Sequence, residues 1–291
     1  MRVLQSVCGL LALTLAACGG RTSGLMSDTP VAEKKGDASE LVAAGDGLWA
    51  ERGDRAKAEE AVKKWEAAAQ LDPTQADVQL KLAYGYYFLA NAHVKWDKKP
   101  EDAMKALYLK GVEAGEAAIK LQSPEFAAKI KGGAKWAEAV KSVGAEGISG
   151  LYWYATNLGK WGLLEGITAI LAHKDDIFAT MERVQALDET FFHGAPHRYF
   201  GVYWAKLPFG KDLKKSKTHF EKAVAISGNY LETKVLFAEF FAAYSDDEAL
   251  FKKLLNEVIA TADDVDPALV PENMNAKRTA KTMLENIEDY F

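Results

Sequence analysis

Cysteine is almost absent from this 291-residue chain, since Cys8 and Cys18 are its only two. Both lie near the N-terminus, so the rest of the chain cannot form an internal disulfide. A catalytic thiol in the body of the protein is excluded for the same reason.

Long apolar runs are also lacking. The longest near the N-terminus is residues 7–17, which is too short to cross a hydrocarbon core that requires about 20 helical residues. Arg2 precedes this run and the sequence Leu-Ala-Ala-Cys ends it at Cys18, an order typical of an export signal. The ending resembles the lipobox of bacterial lipoproteins, which implies cleavage before Cys18 and acylation of its thiol. The alternative is an ordinary secreted protein that is cleaved after Ala17.

Residues 1–17 are therefore predicted to be a lipoprotein signal peptide, and residues 18–39 a lipidated cysteine with a flexible tether rich in glycine and polar residues. Two or more acyl chains anchor a protein far better than one. Neither Gly19 nor Gly20 is the aspartate that marks inner-membrane retention in well-studied lipoproteins, which favours the outer membrane and a domain that faces the periplasm.

Clusters of charge of one sign are lacking as well. The net charge is −5 and the charged residues are interspersed. This pattern gives no indication of a nucleic-acid partner, and it predicts contact with the membrane through the lipid anchor only.

Proline is scarce beyond the tether, and apolar residues recur at intervals of three and four, as in Val78, Leu82, Tyr86 and Leu89. Residues 40–291 are therefore predicted to form one all-α domain. A spacing of small and aromatic residues around Ala61, Trp65 and Ala68 returns four more times along the chain, loosely the last time, which is typical of the second helix of a tetratricopeptide unit. We expect degenerate tetratricopeptide-like repeats, stacked into one curved array and closed by a C-terminal capping helix at residues 273–290.

Sequence motifs of known enzyme classes are also absent. The sequence has no nucleophile elbow, no phosphate-binding loop and no dinucleotide fingerprint. His193 and His197 are four residues apart, but Gly194 and Pro196 between them do not suit a zinc-binding helix. The prediction is no enzyme, no metal and no cofactor. The segment from His173 to Asp176 is interpreted as a corner between helices.

Two segments are unusually rich in aromatic residues with polar residues among them. The first, residues 147–161, contains Tyr152, Trp153, Asn157, Lys160 and Trp161. The second, residues 194–204, contains His197, Arg198 and Tyr203. Aromatic stripes usually pack in a core, but an amide or a cation beside them must be paired or hydrated, so both segments are candidate binding sites.

A family resemblance connects these segments. YWYATNLGKW, GAPHRYFGVYWAKLP, HFEKAVAISGNYLETKVLFAEFFA and PENMNAKRTAKTML occur in this order, and together they resemble the TRAP transporter T-component (TatT) family of periplasmic lipoproteins. The resemblance implies a TRAP-type substrate-binding protein as partner, a cleft that accepts a ligand, and assembly into homotrimers. It also adds Asn229 and Glu239 to the candidate residues.

Alternatives remain open for the site and for the function. Asn157 could bridge helices, Lys160 could extend along the surface, and Arg198 could pair with Glu239. The alternative function is a scaffold for envelope or outer-membrane assembly, which binds an extended partner on the concave face of the array.

Overall fold

The computed structural model describes residues 23–26, 32–207 and 209–291, and the predicted signal peptide with Cys18 lies outside them. Within these ranges the chain forms helices and no strand, which confirms the all-α prediction. The α-helices are α1 (Ser39–Trp49), α2 (Arg55–Leu71), α3 (Ala76–Phe88), α4 (Glu101–Gln122), α5 (Pro124–Lys131), α6 (Trp136–Ala139), α7 (Ile148–Glu165), α8 (Ile167–Leu187), α9 (Phe191–Lys206), α10 (Leu213–Ile226), α11 (Glu232–Phe237), α12 (Glu248–Ala260) and α13 (Val270–Glu285).

Most of these helices pack against their neighbours in the chain. The extensive contacts are α1 with α2, α3 with α4, α4 with α7, α7 with α8, and α9 with α10. The short helices α5 and α6 form an insertion between α4 and α7. This order of contacts fits stacked helix pairs.

Aspartate caps start the second helix of three pairs. Asp54, Asp212 and Asp247 each accept a hydrogen bond from a backbone N–H three residues ahead, in the first turn of α2, α10 and α12. A cap of this kind satisfies one of the N–H groups that a helix start leaves unpaired. The predicted corner at His173–Asp176 is wrong, since α8 runs through it without a break.

Glycine allows α4 and α7 to approach closely. A Cβ atom on Gly111 would lie 2.3 Å from Oδ1 of Asn157, and one on Gly115 would lie 2.9 Å from Cα of Tyr154. In the first helix pairs, Trp65 is buried against Gly45 of α1 and Gly85 of α3. Small and aromatic residues thus have the packing functions that the repeat pattern predicts.

Two helices end in the same unusual way. After α3 the chain forms a π-helical turn, Leu89–His93, and then a 3-10 turn, Val94–Trp96. After α11 it forms a π-helical turn, Ala238–Ala242, and then a 3-10 turn, Ala243–Ser245. Single π turns are rare and occur frequently at functional sites.

The array curves until its last helix contacts its first turns. Arg52, after α1, donates hydrogen bonds of 2.8 Å from Nε and Nη2 to the two carboxylate oxygens of Glu272 in α13. Tyr84 donates to the same carboxylate at 2.5 Å. Trp96 donates to Asn275 at 3.2 Å, so α13 both covers the last pair and joins it to the first two.

Part of the predicted tether lies against the helical body. Ser23 Oγ and the backbone N–H of Gly24 donate to the carboxylate of Glu116 in α4, at 2.6 and 3.0 Å. Leu25 is 2% exposed and belongs to the main apolar core. Further along, Lys34 forms an ion pair of 3.0 Å with Asp72 at the end of α2.

Among the described residues, no helix combines the length and the apolar character needed to cross a membrane.

Candidate ligand-binding cleft

The start of α9 shapes the candidate site. Phe192, His193 and Gly194 have φ of 42°, 61° and 73°, so three successive residues are left-handed before the regular helix begins. Such a conformation costs about 1–2 kcal/mol for each residue that is not glycine. It turns two backbone carbonyls toward the side chain of Arg198.

Arg198 holds this turn. Nη2 of its guanidinium donates to the carbonyl of Phe192 at 2.8 Å and Nη1 donates to the carbonyl of His193. The guanidinium also lies over the ring of Tyr230, with Cζ 4.3 Å from the centroid, and the side chain is only 5% exposed. Arg198 is not paired with Glu239 in any of these contacts.

A cavity of about 490 Å³ lies beside Arg198, between α7, α8, α9 and α11. Most of the groups that line it are apolar or aromatic, which is usual for sites that bind small organic molecules. Its apolar and aromatic lining includes Tyr87, Tyr152, Leu163, Ile167, Ile170, Leu171, Ile177, Met181, Tyr199, Val202, Tyr203, Leu207, Leu236 and Phe240.

The charged groups that line the cavity are mostly cationic. Lys160, Lys174, Arg198 and Lys206 face a single lining carboxylate, Glu232. Lys174 is paired with its exposed neighbour Asp175. Among the described residues, Lys160 and Lys206 form no ion pair within 4 Å; Lys160 instead donates to Asn91 at 3.5 Å, and Nζ of Lys206 lies 5.1 Å from the ring centroid of Phe240. The cavity therefore attracts anions.

Glu232 is held as an internal carboxylate. Tyr230 donates to it at 2.8 Å and Asn91, on the first π turn, donates at 3.2 Å. Burial raises the pKa of Glu232, but the charges of Lys160, Arg198 and Lys95 and the hydrogen bond from Tyr230 together outweigh burial, so its pKa lies below the usual range. Glu232 is therefore ionised at neutral pH and neutralises only part of the positive charge.

The other charged groups near the cavity are poorly hydrated. Burial lowers the pKa of Lys206, although Glu239 opposes this shift. Burial also lowers the pKa of Lys95 to about 8. Burial raises the pKa of Glu239, against the opposing effect of Lys160 and Lys206. A ligand carboxylate would supply these lysines with a counter-ion that the protein only partly provides.

The mouth of the cavity is apolar. Leu163, Ile167 and Leu171 line it and are 49%, 66% and 50% exposed. Large apolar side chains grouped on a surface indicate a place where another molecule binds.

Comparison with protein families identifies the chain. The model of the TRAP transporter T-component family matches residues 56–291, which is more than half of the sequence. The chain belongs to the TRAP transporter T-component family. This confirms the resemblance and places the chain with transporter components rather than with an enzyme family. No curated protein matches the chain.

The structure brings four of the predicted residues to the cavity of this T-component. Tyr152 and Lys160 come from α7, and Arg198 and Tyr203 come from α9. Glu239 is on the second π turn, close enough to Lys160 and Lys206 for their charges to affect its pKa, but it does not line the cavity. A binding role for these residues remains a prediction.

The other five candidate residues have structural contacts elsewhere. Trp153 stacks on Tyr84 at 4.4 Å, and Trp161 packs at 6.0 Å from His173. Asn157 is fully buried and bridges helices, since its Nδ2 donates to the carbonyls of Ala83 and Trp153 at 3.1 and 2.8 Å. The backbone carbonyl of Asn229 accepts a hydrogen bond from Asn273.

His197 is turned away from the cavity. Its Nδ1 lies 2.9 Å from Nδ1 of His219 on α10, and its Nε2 lies 3.2 Å from Glu189. His193 instead stacks on Tyr230 and bonds to Ser227. No group of three metal-ligating side chains occurs among residues 23–26, 32–207 and 209–291.

Sequence reasoning missed the contribution of α8. Its lining residues Ile167, Ile170, Lys174, Ile177 and Met181 follow intervals of three and four, so they share one helix face. That periodicity was available in the sequence, but the interpretation of His173–Asp176 as a corner divided the helix. Glu232 and Lys206 gave no comparable local signal.

Proposed function

We propose that this protein is a periplasm-facing lipoprotein and an accessory component of a TRAP-type transporter. In this proposal it is anchored through Cys18 to the outer membrane, docks a substrate-binding protein, and binds a small organic anion in the cleft between α7, α8, α9 and α11. Membership of the T-component family supports the association with a TRAP system.

The observation that carries the ligand proposal is the excess of cations in an apolar cavity. Within the part of the chain that the structure describes, Lys160 and Lys206 form no ion pair, while exposed leucine and isoleucine side chains line the mouth. This combination fits a molecule with one anionic group and an apolar body. The cavity contains no group of side chains arranged for bond cleavage, so the ligand would be bound and released unchanged.

Decanoate and decanol test the ligand proposal, because they share an apolar chain and differ in charge. Decanoate should bind more tightly than decanol by calorimetry. Lys160→Met should weaken decanoate about tenfold, which corresponds to about 1.4 kcal/mol, and should leave decanol unchanged. Lys253→Met on the exposed face of α12 is the matched control. If Lys160→Met weakened the binding of both probes equally, or did not weaken the binding of decanoate, Lys160 would not be part of the anion site.

The partner is tested by capture from membranes. The lipidated protein, solubilised from cross-linked cells, should retain the substrate-binding protein of a TRAP system. Recovery of outer-membrane assembly factors or cell-wall synthases instead would favour the scaffold alternative. A Cys18→Ser form that still partitions with membranes would contradict the lipid anchor.

A further inference from the structure

The polar contact between the N-terminal segment and α4 is buried. Glu116 is 3% exposed, and its carboxylate accepts hydrogen bonds from Ser23 Oγ and from the backbone of Gly24. A Cβ atom on Gly24 would lie 3.1 Å from the same carboxylate, so the backbone lies close against α4. A buried carboxyl group is costly without hydrogen-bond partners, so these two contacts favour this position of the segment on α4.

Leu25 adds an apolar contact next to these hydrogen bonds. The turn Gly24–Met26 packs on α4 and α5, and Leu25 is among the largest fully buried side chains of the core. The backbone N–H of Lys35 donates to the carbonyl of Leu71 at 2.8 Å, which attaches the chain a second time. The segment before α1 is therefore fastened to the body at Ser23.

The attachment at Ser23 sets the length of chain between the lipidated cysteine and the helical body. This stretch, residues 18–23, is called the leash below. Only five residue steps separate Cys18 from Ser23. A fully extended chain spans about 3.3–3.6 Å per residue, so the two Cα atoms are at most about 18 Å apart. A free tether from Cys18 to Ser39 would reach about 70 Å by the same measure.

We propose that the edge of the protein formed by the end of α4 with α5 and α6 is its membrane-facing surface, held against anionic lipid by this short leash. The inference rests on the lipid anchor at Cys18 proposed above. A domain of about 250 residues is about 45 Å across, which is more than twice the maximum length of the leash. The side of the protein that carries Ser23 therefore cannot turn away from the bilayer.

The local charge of this edge fits an anionic lipid surface, and such a contact would add to the lipid anchor, which is the only membrane contact that the charge pattern of the whole chain predicts. Residues 120–142 contain five lysines and two glutamates, whereas the whole chain has a net charge of −5. Lys129, Lys131, Lys135 and Lys141 are exposed. Lys129 and Lys141 form exposed ion pairs with Glu125 and Glu138, so the positive excess of this edge comes from the remaining lysines. Lysines near a surface of anionic headgroups are attracted to it over a distance of about 10 Å at moderate salt.

A quenching experiment on the lipidated full-length protein tests this orientation. Mature protein has no free thiol once Cys18 is acylated, so one introduced cysteine can carry a fluorophore. Ala134→Cys lies in the turn before α6, and the matched position Ala260→Cys lies at the end of α12, which packs on α11 and α13. Vesicles of phosphatidylcholine and phosphatidylglycerol carry a spin label on their headgroups.

The label at position 134 should be quenched at least threefold more strongly than the label at position 260. Insertion of ten Gly and Ser residues after Gly20 leaves every described contact in place and should bring the ratio toward one. Leu25→Asp should have the same effect while the protein stays on the vesicles.

Equal quenching at the two positions would overturn the orientation, and so would a ratio that the insertion leaves unchanged. Equal vesicle binding by Cys18→Ser protein would instead overturn the anchor, and with it the leash. The two failures are distinguishable because one concerns the position of labels on bound protein and the other concerns binding itself.

Discussion

Arg198 combines two functions in one side chain. It lines the cationic side of the cavity, and it supplies hydrogen bonds to the two carbonyls that the left-handed residues Phe192 and His193 present. Loss of its charge therefore alters the helix start and the cavity together. Lys160 is the better position for isolating the effect of charge on binding.

Arg198→Met should lower the free energy of unfolding by about 3 kcal/mol, because two buried carbonyls lose a charged donor. Denaturant unfolding measures this loss. Lys160→Met, on the same cavity but without hydrogen bonds to backbone, is the control and should change stability by less than about 1 kcal/mol. Equal stability of the two variants would contradict the structural function of Arg198.

The contact between His197 and His219 predicts a dependence of stability on pH. Nδ1 of one ring must donate and Nδ1 of the other must accept, so the two rings cannot both be protonated in this arrangement. Burial, with His197, Lys222 and Lys215, lowers the pKa of His219 to about 4. Burial also lowers the pKa of His197, although Glu189 opposes the shift.

Because the unfolded chain binds these protons more readily, the contribution of the pair is fully present above about pH 6.5 and is lost as the pH falls toward 4. The melting temperature should therefore fall between pH 7 and pH 5. In His219→Gln protein this dependence should be smaller. A variant with the same slope as the wild type would exclude the pair as its source.

At the residue scale the sequence predicted the composition of the site better than its geometry. An aromatic residue beside a polar one can face a cavity or a core, as Tyr152 and Trp153 show at adjacent positions of α7. Helical periodicity could not show which of the two residues faces the cavity, because apolar residues occur on both faces of α7. Tertiary contacts with α3 and α9 make the choice.

The elements themselves were more predictable. The all-α character follows the predicted periodicity, and the glycines of α4 allow the close approach that the repeat pattern implies. The left-handed start of α9 was not predictable, since positive φ is uncommon for any residue other than glycine and a bulky residue such as Phe192 rarely adopts it. Their backbone is held by Arg198, a contact that sequence spacing alone does not reveal.

Two glycines test this account of the elements. Gly194→Ala should destabilise the protein by about 1–2 kcal/mol, because φ is positive and the new Cβ would lie 3.3 Å from atoms of Ala223 and Ile226. Gly159→Ala in α7, where a Cβ meets nothing within 4 Å, should stabilise it by about 0.5–1 kcal/mol. Thermal unfolding measures both. The two substitutions should change the stability in opposite directions. A change in the same direction would contradict the assigned backbone conformations.

At the scale of the whole molecule, the contact of α13 with the first turns had no local signature. Arg52 and Glu272 are 220 residues apart in sequence. Repeat periodicity predicts that helix pairs stack, but not how far the stack curves. The curvature depends on small packing differences at every interface, and these accumulate only in three dimensions.

Glu272→Gln should lower the free energy of unfolding by about 3 kcal/mol, because it leaves the mostly buried guanidinium of Arg52 without its counter-ion. Hydrogen exchange should become faster in α13 and in the turn between α1 and α2. Glu257→Gln, which removes the more exposed ion pair with Lys234, is the control and should cost less than about 1 kcal/mol. Unchanged exchange in α13 would show that the contact does not hold the ends together.

The contact between first and last turns also limits how such a chain can change in evolution. Open helical solenoids gain and lose whole units by duplication and deletion, because each unit touches only its neighbours. Here an added or missing unit would separate Arg52 from Glu272. It would also break the hydrogen bonds that Tyr84 and Trp96 donate to α13. Closure therefore makes the gain or loss of a whole helix pair more disruptive here than in an open solenoid.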